Sequence, residues 1–386
     1  MRMKSALKSI VRRFLKILFF PFPITKGKIV LDNFGGKGYG DNPKYLADEI
    51  IRQNLPFKIV WMLRQEYSAP NNSTIVSFPS VRAFYELATA EIVVDNCKNV
   101  LTTLFIKKKK QLYLQTWHGD FPLKYIEKEV ENSLSPAYVK TSKADSIRTD
   151  AIISGNTFFS NVLQDSFWLP DTCEILEYGV PRNDVYFRDE KYRAELKKKY
   201  HFGMMDKILL YAPTFRDNGD TSCYDLDFEK IRQTLSSMTN EKWKIVIRLH
   251  PNVAKQADLF TYNDDIINGS DFPDPQELCF ISDCLITDYS SIMSDFMLMK
   301  KPVFLYCPDL EKYADKSQGR GLRDIFWKLP FSMGKSQDEL LQQISSFDNK
   351  NYLGKLAEFM QKEYVSFDDG HASEKVVNYI KEKMTK

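Results

Sequence analysis

Short apolar runs of strand length alternate along the chain with longer segments in which apolar residues recur at helical spacing. The runs cover residues 28–34, 58–63, 74–78, 91–95, 112–117 and 151–154 in the first half, and 207–211, 243–249, 265–267, 285–287 and 302–306 in the second. Helical patterns such as Pro43–Arg52 and Ser80–Ala90 lie between them. This alternation predicts an α/β protein with parallel sheets covered by helices on both faces.

The pattern restarts after the charged stretch 188–199, so we predict two Rossmann-like domains. The expected ranges are 28–195 for the N-terminal domain and 196–386 for the C-terminal domain, which ends in amphipathic helices. Ligands of such sheets bind at the carboxyl ends of the strands, and we expect the ends of both sheets to face a central cleft. Candidate chemistry should therefore follow the strands.

Residues 1–27 form a basic amphipathic segment before the two predicted domains. Apolar residues between Met3 and Leu18 recur at helical spacing, and five basic residues lie between them: Lys4, Lys8, Arg12, Arg13 and Lys16. A helix with one apolar and one cationic face is typical of segments that lie on anionic membranes. This one is too short and too charged to span a bilayer, and it lacks the cleavage site of a signal peptide. A helix docked on the core with a solvated basic face is the alternative.

Composition narrows the class of protein. The 386 residues are 43% hydrophobic, which is enough for packed cores, and the net charge of +3 is too small to indicate nucleic-acid binding. The six cysteines form no CxxC pair and have no histidines nearby, so no zinc site is expected. Free thiols in or beside apolar runs indicate a reducing compartment, which we take to be the cytoplasm.

Residues suited to phosphate chemistry follow several predicted strands. His118 and Gly119 come directly after one strand, with Lys124 six residues beyond the histidine. A turn at 179–184 presents Arg182, whose guanidinium can bind phosphate oxygens in bidentate fashion. The other ends carry Pro213 and Thr214, then Arg248 and His250, and then Ser290, Ser291 and Asp295.

The segment 284–298 has the pattern of a strand, a tight turn and a helix. Ser290 and Ser291 would lie at the helix start, where free amides and the helix dipole favour a phosphate group. The alternative is that Ser290 is only a helix cap and Asp295 a solvated residue. Similarly, His118 and His250 suit acid–base chemistry at strand ends, and a structural role for each is the alternative.

In this order, the motifs resemble the CDP-glycerol:poly(glycerophosphate) glycerophosphotransferase family of teichoic acid primases and polymerases. The residues that carry the resemblance are Gln115, Trp117–Gly119, Pro122–Lys124, Gly179, Pro181–Asp184, Ala212–Thr214, Arg248, His250, Pro251, Thr287–Ser291 and Asp295. One departure is Asp120–Phe121, which adds one residue and a carboxylate between Gly119 and Pro122. An added carboxylate would alter the placement of Lys124 or the choice of alditol. The stretch 319–324 is a second departure.

The resemblance implies a GT-B architecture and the transfer of glycerol phosphate or ribitol phosphate from a CDP-alditol, with release of CMP. By similarity, His118 and His250 are catalytic, with His118 favoured as the base and His250 as a partner of the pyrophosphate or the leaving group. The residues expected around the donor are Gly119, Lys124, Arg182, Pro213, Thr214, Arg248, Ser290, Ser291 and Asp295. No carboxylate cluster suggests a magnesium site, so no metal or cofactor is expected.

The expected acceptor is a hydroxyl of a polyprenyl-diphosphate-linked glycan, in teichoic acid or capsule-type polymer synthesis. Such an acceptor suits a peripheral protein on the cytoplasmic face of the cell membrane, held on the anionic membrane surface by the amphipathic segment Met3–Phe20. The choice of alditol, primase or polymerase action and homo-oligomer formation stay open. A GT-B glycosyltransferase that uses a sugar nucleotide is the alternative enzyme, and a catalytically silent glycolipid-binding scaffold is the non-enzymatic alternative.

Overall fold

The structure is a computed structural model, which describes residues 2–64, 70, 72–98, 101–216, 221–249, 258–315 and 320–385. Contacts divide the chain into two compact units. The first unit consists of Met1–Asp120, Glu127–Asp184 and Phe367–Lys386, and the second of Phe121–Ile126 and Val185–Ser366.

The described residues form thirteen strands and thirteen α-helices. The strands are β1 (Lys28–Asp32), β2 (Lys58–Leu63), β3 (Ser73–Ser77), β4 (Ile92–Asp95), β5 (Leu112–Gln115), β6 (Ala151–Ile153), β7 (Glu174–Leu176), β8 (Lys207–Tyr211), β9 (Trp243–Ile247), β10 (Ile266–Asn268), β11 (Cys284–Thr287), β12 (Val303–Tyr306) and β13 (Ser332–Gly334). The helices are α1 (Arg2–Phe19), α2 (Asp41–Arg52), α3 (Val81–Thr89), α4 (Pro136–Ser146), α5 (Thr157–Ser166), α6 (Glu190–Lys199), α7 (Phe228–Thr239), α8 (Pro275–Ile281), α9 (Ile292–Leu298), α10 (Leu310–Ala314), α11 (Gln337–Ser345), α12 (Asn349–Lys362) and α13 (Ala372–Thr385).

The first unit is built on a parallel sheet, whose described strands follow the order β3-β2-β1-β4-β5-β6-β7. Strand β1 lies between β2 and β4 and is buried along its whole length, which explains its continuous apolar run. One face of the sheet packs on α2 and α13, and the other packs on α3. Leu15 and Phe19 of α1 pack against the core between the sheet and α3.

The second unit repeats this plan. Its described strands are parallel in the order β10-β9-β8-β11-β12-β13, with β8 between β9 and β11. One core holds alternate residues of these strands, such as Leu209, Ile245 and Ile286, together with residues of α7 and α11. Both sheets therefore have the strand order of a Rossmann domain, as the alternating pattern predicts.

The contact units differ from the predicted domain ranges at three places. Residues Phe121–Ile126 group with the second unit. Helix α13 groups with the first unit, because Val376, Val377 and Ile380 lie in the core that α2 covers. Helix α6 groups with the second unit, where Arg193 Nη2 donates to the Ile281 carbonyl at 2.8 Å and lies 2.7 Å from the Asp283 carboxylate.

Candidate functional site

The strand order of each sheet reverses at one place, between β1 and β4 in the first unit and between β8 and β11 in the second. Ligands of such sheets bind outside the carboxyl ends of the strands near this reversal. Many predicted site residues lie there. His118 and Gly119 follow β5, which neighbours β4, while Thr214 follows β8 and Ser290 follows β11.

The half-buried side chain of His118 is fixed in orientation and tautomer. Its Nδ1 lies 2.7 Å from the carbonyl oxygen of Asn96, which can only accept a hydrogen bond. Nδ1 therefore carries a proton, and the neutral ring has its lone pair on Nε2. The rings of Phe34 and Trp117 pack against the imidazole, with centroids 5.1 and 4.2 Å away. A general base needs such a fixed lone pair.

The surroundings of His118 keep its imidazole neutral. Burial lowers its pKa below the ordinary histidine value, and the positive charge of Arg182 acts in the same direction. The hydrogen bond to Asn96 and the Asp41 carboxylate oppose this shift without cancelling it. At neutral pH, His118 is therefore able to accept a proton at Nε2.

Arg182, predicted as a phosphate-binding residue, lies beside His118. Its side chain is buried, and Nη1 lies 3.2 Å from the Asp41 carboxylate. The same nitrogen donates to the carbonyl oxygen of His118 at 2.9 Å. Arg182 is thus bonded within the protein, next to the candidate base.

Asp120 and Phe121, the residues of the first departure, are packing residues. Asp120 is buried, and Asn156 Nδ2 donates to its backbone carbonyl at 2.9 Å and to its carboxylate at 3.1 Å. Asn156 also caps α5 by accepting the backbone N–H of Phe159 at 2.8 Å. Phe121 is buried edge-on against Tyr364. The carboxylate that marks this departure therefore supports the start of α5.

Asp288 ties together the ends of β8 and β11 in the second unit. Its Oδ1 accepts the backbone N–H groups of Thr214 at 2.8 Å and Tyr289 at 2.6 Å, and its Oδ2 lies 2.9 Å from Arg216 Nη1. Arg216 also binds Asp309 in bidentate fashion, at 2.7 and 3.1 Å. The Thr214 hydroxyl is buried and has no hydrogen-bond partner among the described residues, so it suits a ligand. Its neighbour Pro213 fixes the chain between strand and hydroxyl.

Lys124 belongs to the same unit. Its Nζ donates to the hydroxyl oxygen of Tyr313 at 2.9 Å, and the Tyr313 ring stacks on Tyr289 with centroids 3.7 Å apart. Lys124 also pairs with Leu322 in an antiparallel β-bridge. Two aromatic rings therefore link Lys124 to the end of β11.

The paired serines lie at the start of α9, as predicted. Both are half-buried, and Ser291, at the N-cap position, makes no side-chain capping bond among the described residues. Asp295 lies in the first turn of this helix and is buried, so it is not the solvated residue of the alternative interpretation.

Arg248 and His250 follow β9 in the sequence. Arg248 Nη1 donates to the carbonyl oxygens of Gly269 and Phe272, at 2.7 and 2.8 Å, and burial lowers the pKa of its guanidinium. This nitrogen is therefore engaged within the protein. His250 lies outside the described residues.

A buried acidic group lies at the carboxyl ends of β1 and β4. Ligand atoms of Asp32, Asp95 and Cys97 lie within 4.8 Å of one another, close enough to share a cation. Both carboxyl groups are buried, and burial raises the pKa of Asp32 and of Asp95 above the ordinary value. The sequence does not reveal this group, because Asp32 ends β1, whereas Asp95 and Cys97 lie at and after the end of β4, far along the chain.

A family comparison bears on these sites. The model of the CDP-glycerol:poly(glycerophosphate) glycerophosphotransferase family matches residues 14–382. The chain belongs to this family. The resemblance that the strand-end motifs carry is thereby confirmed.

Two named proteins of teichoic acid synthesis are similar to this family member along most of its length. A teichoic acid glycerol-phosphate transferase of Staphylococcus aureus is 30% identical over 374 residues, which are 92% of this chain and 93% of that protein. A teichoic acid poly(glycerol phosphate) polymerase of Staphylococcus epidermidis is 30% identical over 372 residues, which are 91% of this chain. The chain spans about half the length of that polymerase, since the match covers 50% of it.

A solved structure supports the same fold. A variant of the wall teichoic acid polymerase TagF, soaked with CDPG, matches with a TM-score of 0.86 at 27% identity, covering 99% of this chain and 98% of that chain. Two Rossmann-like α/β domains of the GT-B type, as predicted, are therefore confirmed for this glycerophosphotransferase family member.

Several residues of the sites are absent from the predicted set. Asn96 supports His118 through its backbone, so its side-chain type gives no signal. Arg216 carries a signal, because it lies two residues after Thr214 in the same strand-end motif. Asp288 likewise precedes the paired serines, but its role becomes visible only from its contacts with Thr214 and Arg216.

Proposed function

We propose that the protein transfers glycerol phosphate or ribitol phosphate from a CDP-alditol to a hydroxyl of a polyprenyl-diphosphate-linked glycan. The oxygen of the acceptor hydroxyl attacks the phosphorus that bears the alditol, and the bridging oxygen of the pyrophosphate leaves with CMP. The acceptor proton passes to His118 Nε2. The products are CMP and a glycan extended by one alditol phosphate, as teichoic acid or capsule-type polymer synthesis requires.

The geometry of His118 is the observation that carries this proposal. Its Nδ1 is committed to the Asn96 carbonyl, and its pKa is lowered, so Nε2 has a lone pair at neutral pH. Phosphoryl transfer needs a positioned base and donors that stabilise charge on the phosphate oxygens.

Most of the proposed partners of the donor are residues of the second unit. The Thr214 hydroxyl and the paired serines at the start of α9 suit phosphate oxygens, and Lys124 supplies positive charge. The rest of the proposed set around the donor is Gly119, Pro213, Arg248, Asp295 and, as a partner of the leaving group, His250. Arg182 is left out, because its charge is paired with the Asp41 carboxylate, whereas Arg248 Nη1 donates to the neutral carbonyl oxygens of Gly269 and Phe272.

Peripheral attachment to the cytoplasmic face of the membrane is part of the proposal. In the described part of the chain, no helix has both the length and the low charge needed to cross a bilayer. Helix α1 leaves large apolar side chains in solvent, with Ile10 66% and Phe14 62% exposed, while Leu15 and Phe19 pack on the core. Exposed apolar side chains beside Arg12 and Arg13 suit an anionic lipid surface.

The attachment is tested by flotation with vesicles that contain anionic lipid. Replacing Ile10 and Phe14 with Ser should release the protein from the vesicles, because it removes apolar area without changing charge. Replacing the exposed Met204 and Met205 with Ser is the matched control and should leave binding intact. Equal binding of both variants would rule out attachment through α1.

The transfer is tested by CMP release from CDP-glycerol and from CDP-ribitol, each with a synthetic lipid-linked disaccharide acceptor. His118→Asn should lower turnover by about 100-fold or more, because general-base catalysis contributes roughly 10²- to 10⁴-fold. His201→Asn, at an exposed histidine, is the matched control and should keep wild-type turnover. Release with neither donor, or release that survives His118→Asn, would contradict the proposal. Activity with a UDP-sugar instead would identify the alternative enzyme.

A further inference from the structure

Side chains hold the backbone of the turn that carries His118. Three successive carbonyl oxygens, those of Thr116, Trp117 and His118, accept hydrogen bonds from side-chain nitrogens. Asn42 Nδ2 lies 3.3 Å from the first and 3.1 Å from the second. Arg182 Nη1 lies 2.9 Å from the third. This turn follows the last residue of β5. The backbone N–H of Thr116 still donates to the Asp95 carbonyl of β4 at 2.8 Å, and the side-chain donors hold the carbonyl oxygens.

The two donors are bonded to each other. The backbone N–H of Arg182 donates to Asn42 Oδ1 at 3.1 Å, and Arg182 Nη1 lies 3.2 Å from the carboxylate of Asp41. Asn42 is 1% exposed, and its amide uses its oxygen as an acceptor and its nitrogen as a donor. Asp41, Asn42 and Arg182, here called the brace, thus connect the start of α2 to the His118 turn.

We infer that Asn42 and Arg182 are positioning residues for His118, and that Arg182 acts on the base rather than on the donor phosphates. The inference rests on the proposed function, in which His118 Nε2 takes the acceptor proton. The Asn96 carbonyl fixes the imidazole, and the brace fixes the backbone from which the imidazole extends. Displacing a reacting group by about 1 Å costs on the order of 100-fold in rate, so a brace of this kind has a measurable effect.

Two conservative variants loosen the brace. Arg182→Lys keeps the positive charge but loses the planar guanidinium that reaches both Asp41 and the His118 carbonyl. Asn42→Asp keeps the shape, but it replaces the N–H donors with an acceptor that faces two carbonyl oxygens. Arg52→Lys, at an exposed arginine that pairs with Glu49 on the same helix, is the matched control.

The first measurement is the separation of kcat from KM in CMP release. Arg182→Lys and Asn42→Asp should lower kcat by about 10- to 100-fold while the KM for the CDP-alditol stays within about threefold, because they disturb the base and not donor binding. Arg52→Lys should match the wild type. A rise of about tenfold or more in the donor KM of Arg182→Lys with unchanged kcat would overturn the inference, since a phosphate-binding arginine behaves in that way.

The second measurement is independent of activity. Nitrogen NMR of ¹⁵N-histidine-labelled protein reports the tautomer of each imidazole, and His118→Asn identifies the His118 signals. The wild type should show His118 protonated at Nδ1, and both brace variants should show altered His118 ring shifts with the other histidines unchanged. Unchanged His118 shifts in both variants would overturn the inference. If circular dichroism shows that Asn42→Asp does not fold, the His118 ring shifts of Arg182→Lys alone test the inference. If the wild type releases no CMP, the proposed function fails. The spectra still show in that case whether the brace positions the His118 imidazole.

Discussion

Replacing Arg216 with Met should destabilise the second unit and displace the loop that carries Thr214. The guanidinium lies 2.9 Å from Asp288, and the side chains of this pair are only 7% and 4% exposed. Its contact with Asp309 is more accessible, since that side chain is 25% exposed. Arg216 also lies over the rings of Tyr289 and Tyr313, 5.1 and 4.9 Å from their centroids.

The loss in free energy of unfolding comes from the Asp288 carboxylate, which stays buried after Arg216 is removed. Removing one partner of a buried ion pair costs about 3–5 kcal/mol, because the other charge stays buried without compensation. We take about 4 kcal/mol, which lowers the ratio of folded to unfolded molecules of this unit by a factor on the order of 1,000. Arg232→Met removes a more exposed arginine that pairs with Glu229 within one helix, and should cost only about 0.5 kcal/mol.

Urea unfolding tests this difference, with the fluorescence of the buried Trp243 as the probe of the second unit. Adding Asp288→Asn to Arg216→Met should recover part of the loss, because it removes the stranded carboxylate and keeps an oxygen for the Thr214 N–H. CDP binding should weaken in Arg216→Met more than in Arg232→Met. Equal destabilisation by both arginine variants, or no recovery in the double variant, would refute the reasoning.

Two further predictions concern the first unit. Because the pKa of His118 is lowered, the midpoint of the acid-side decline in kcat/KM should lie below the ordinary histidine pKa. Arg182→Gln should move this midpoint to higher pH, since the arginine charge favours the neutral ring. A wild-type midpoint at or above the ordinary value would contradict this, and His201→Asn gives the control profile. Gly155→Ala should lower the free energy of unfolding by about 2–3 kcal/mol, because the added Cβ would lie 2.5 Å from Val180 Cγ2 and closer still to the Asp120 carboxylate. Gly354→Ala, where a Cβ meets nothing within 4 Å, is its control in thermal unfolding, and equal stability of the two variants would refute the packing argument.

Strands buried on both faces were the best predicted elements. The predicted ranges 58–63 and 207–211 coincide with β2 and β8, because each is an apolar run bounded by polar residues. The edge strands β7 and β13 were not predicted. Each has only three residues, and β13 reads Ser-Met-Gly, so neither has an apolar run long enough to stand out.

For the site residues, the position in the fold was predictable, but the hydrogen-bond and ion-pair partners were not. Positions were predictable where the chain order fixes them, since the carboxyl ends of parallel strands lie at one edge of a sheet. Partners were not, because a side chain such as Arg182 has the same sequence signature whether it faces a phosphate or Asp41. The sequence shows that position 182 carries a positive charge. The partner of this charge in the structure is Asp41 at the start of α2, about 140 residues away in the chain.

The backbone around His118 explains why this part of the site was the hardest to predict. Phe34, Asp41 and Trp117 all have positive φ, at 46°, 54° and 52°, although none is a glycine. Each such residue costs roughly 1–2 kcal/mol, so the surroundings must hold it in place. The backbone N–H of Phe34 donates to Asn96 Oδ1 at 2.8 Å, and that of Trp117 donates to Gln115 Oε1 at 2.9 Å. Two of these strained residues place their rings on the His118 imidazole, and the third pairs with the arginine that holds its carbonyl. The folding free energy spent on these three conformations is therefore concentrated on orienting one imidazole, which favours a role in catalysis over one in packing.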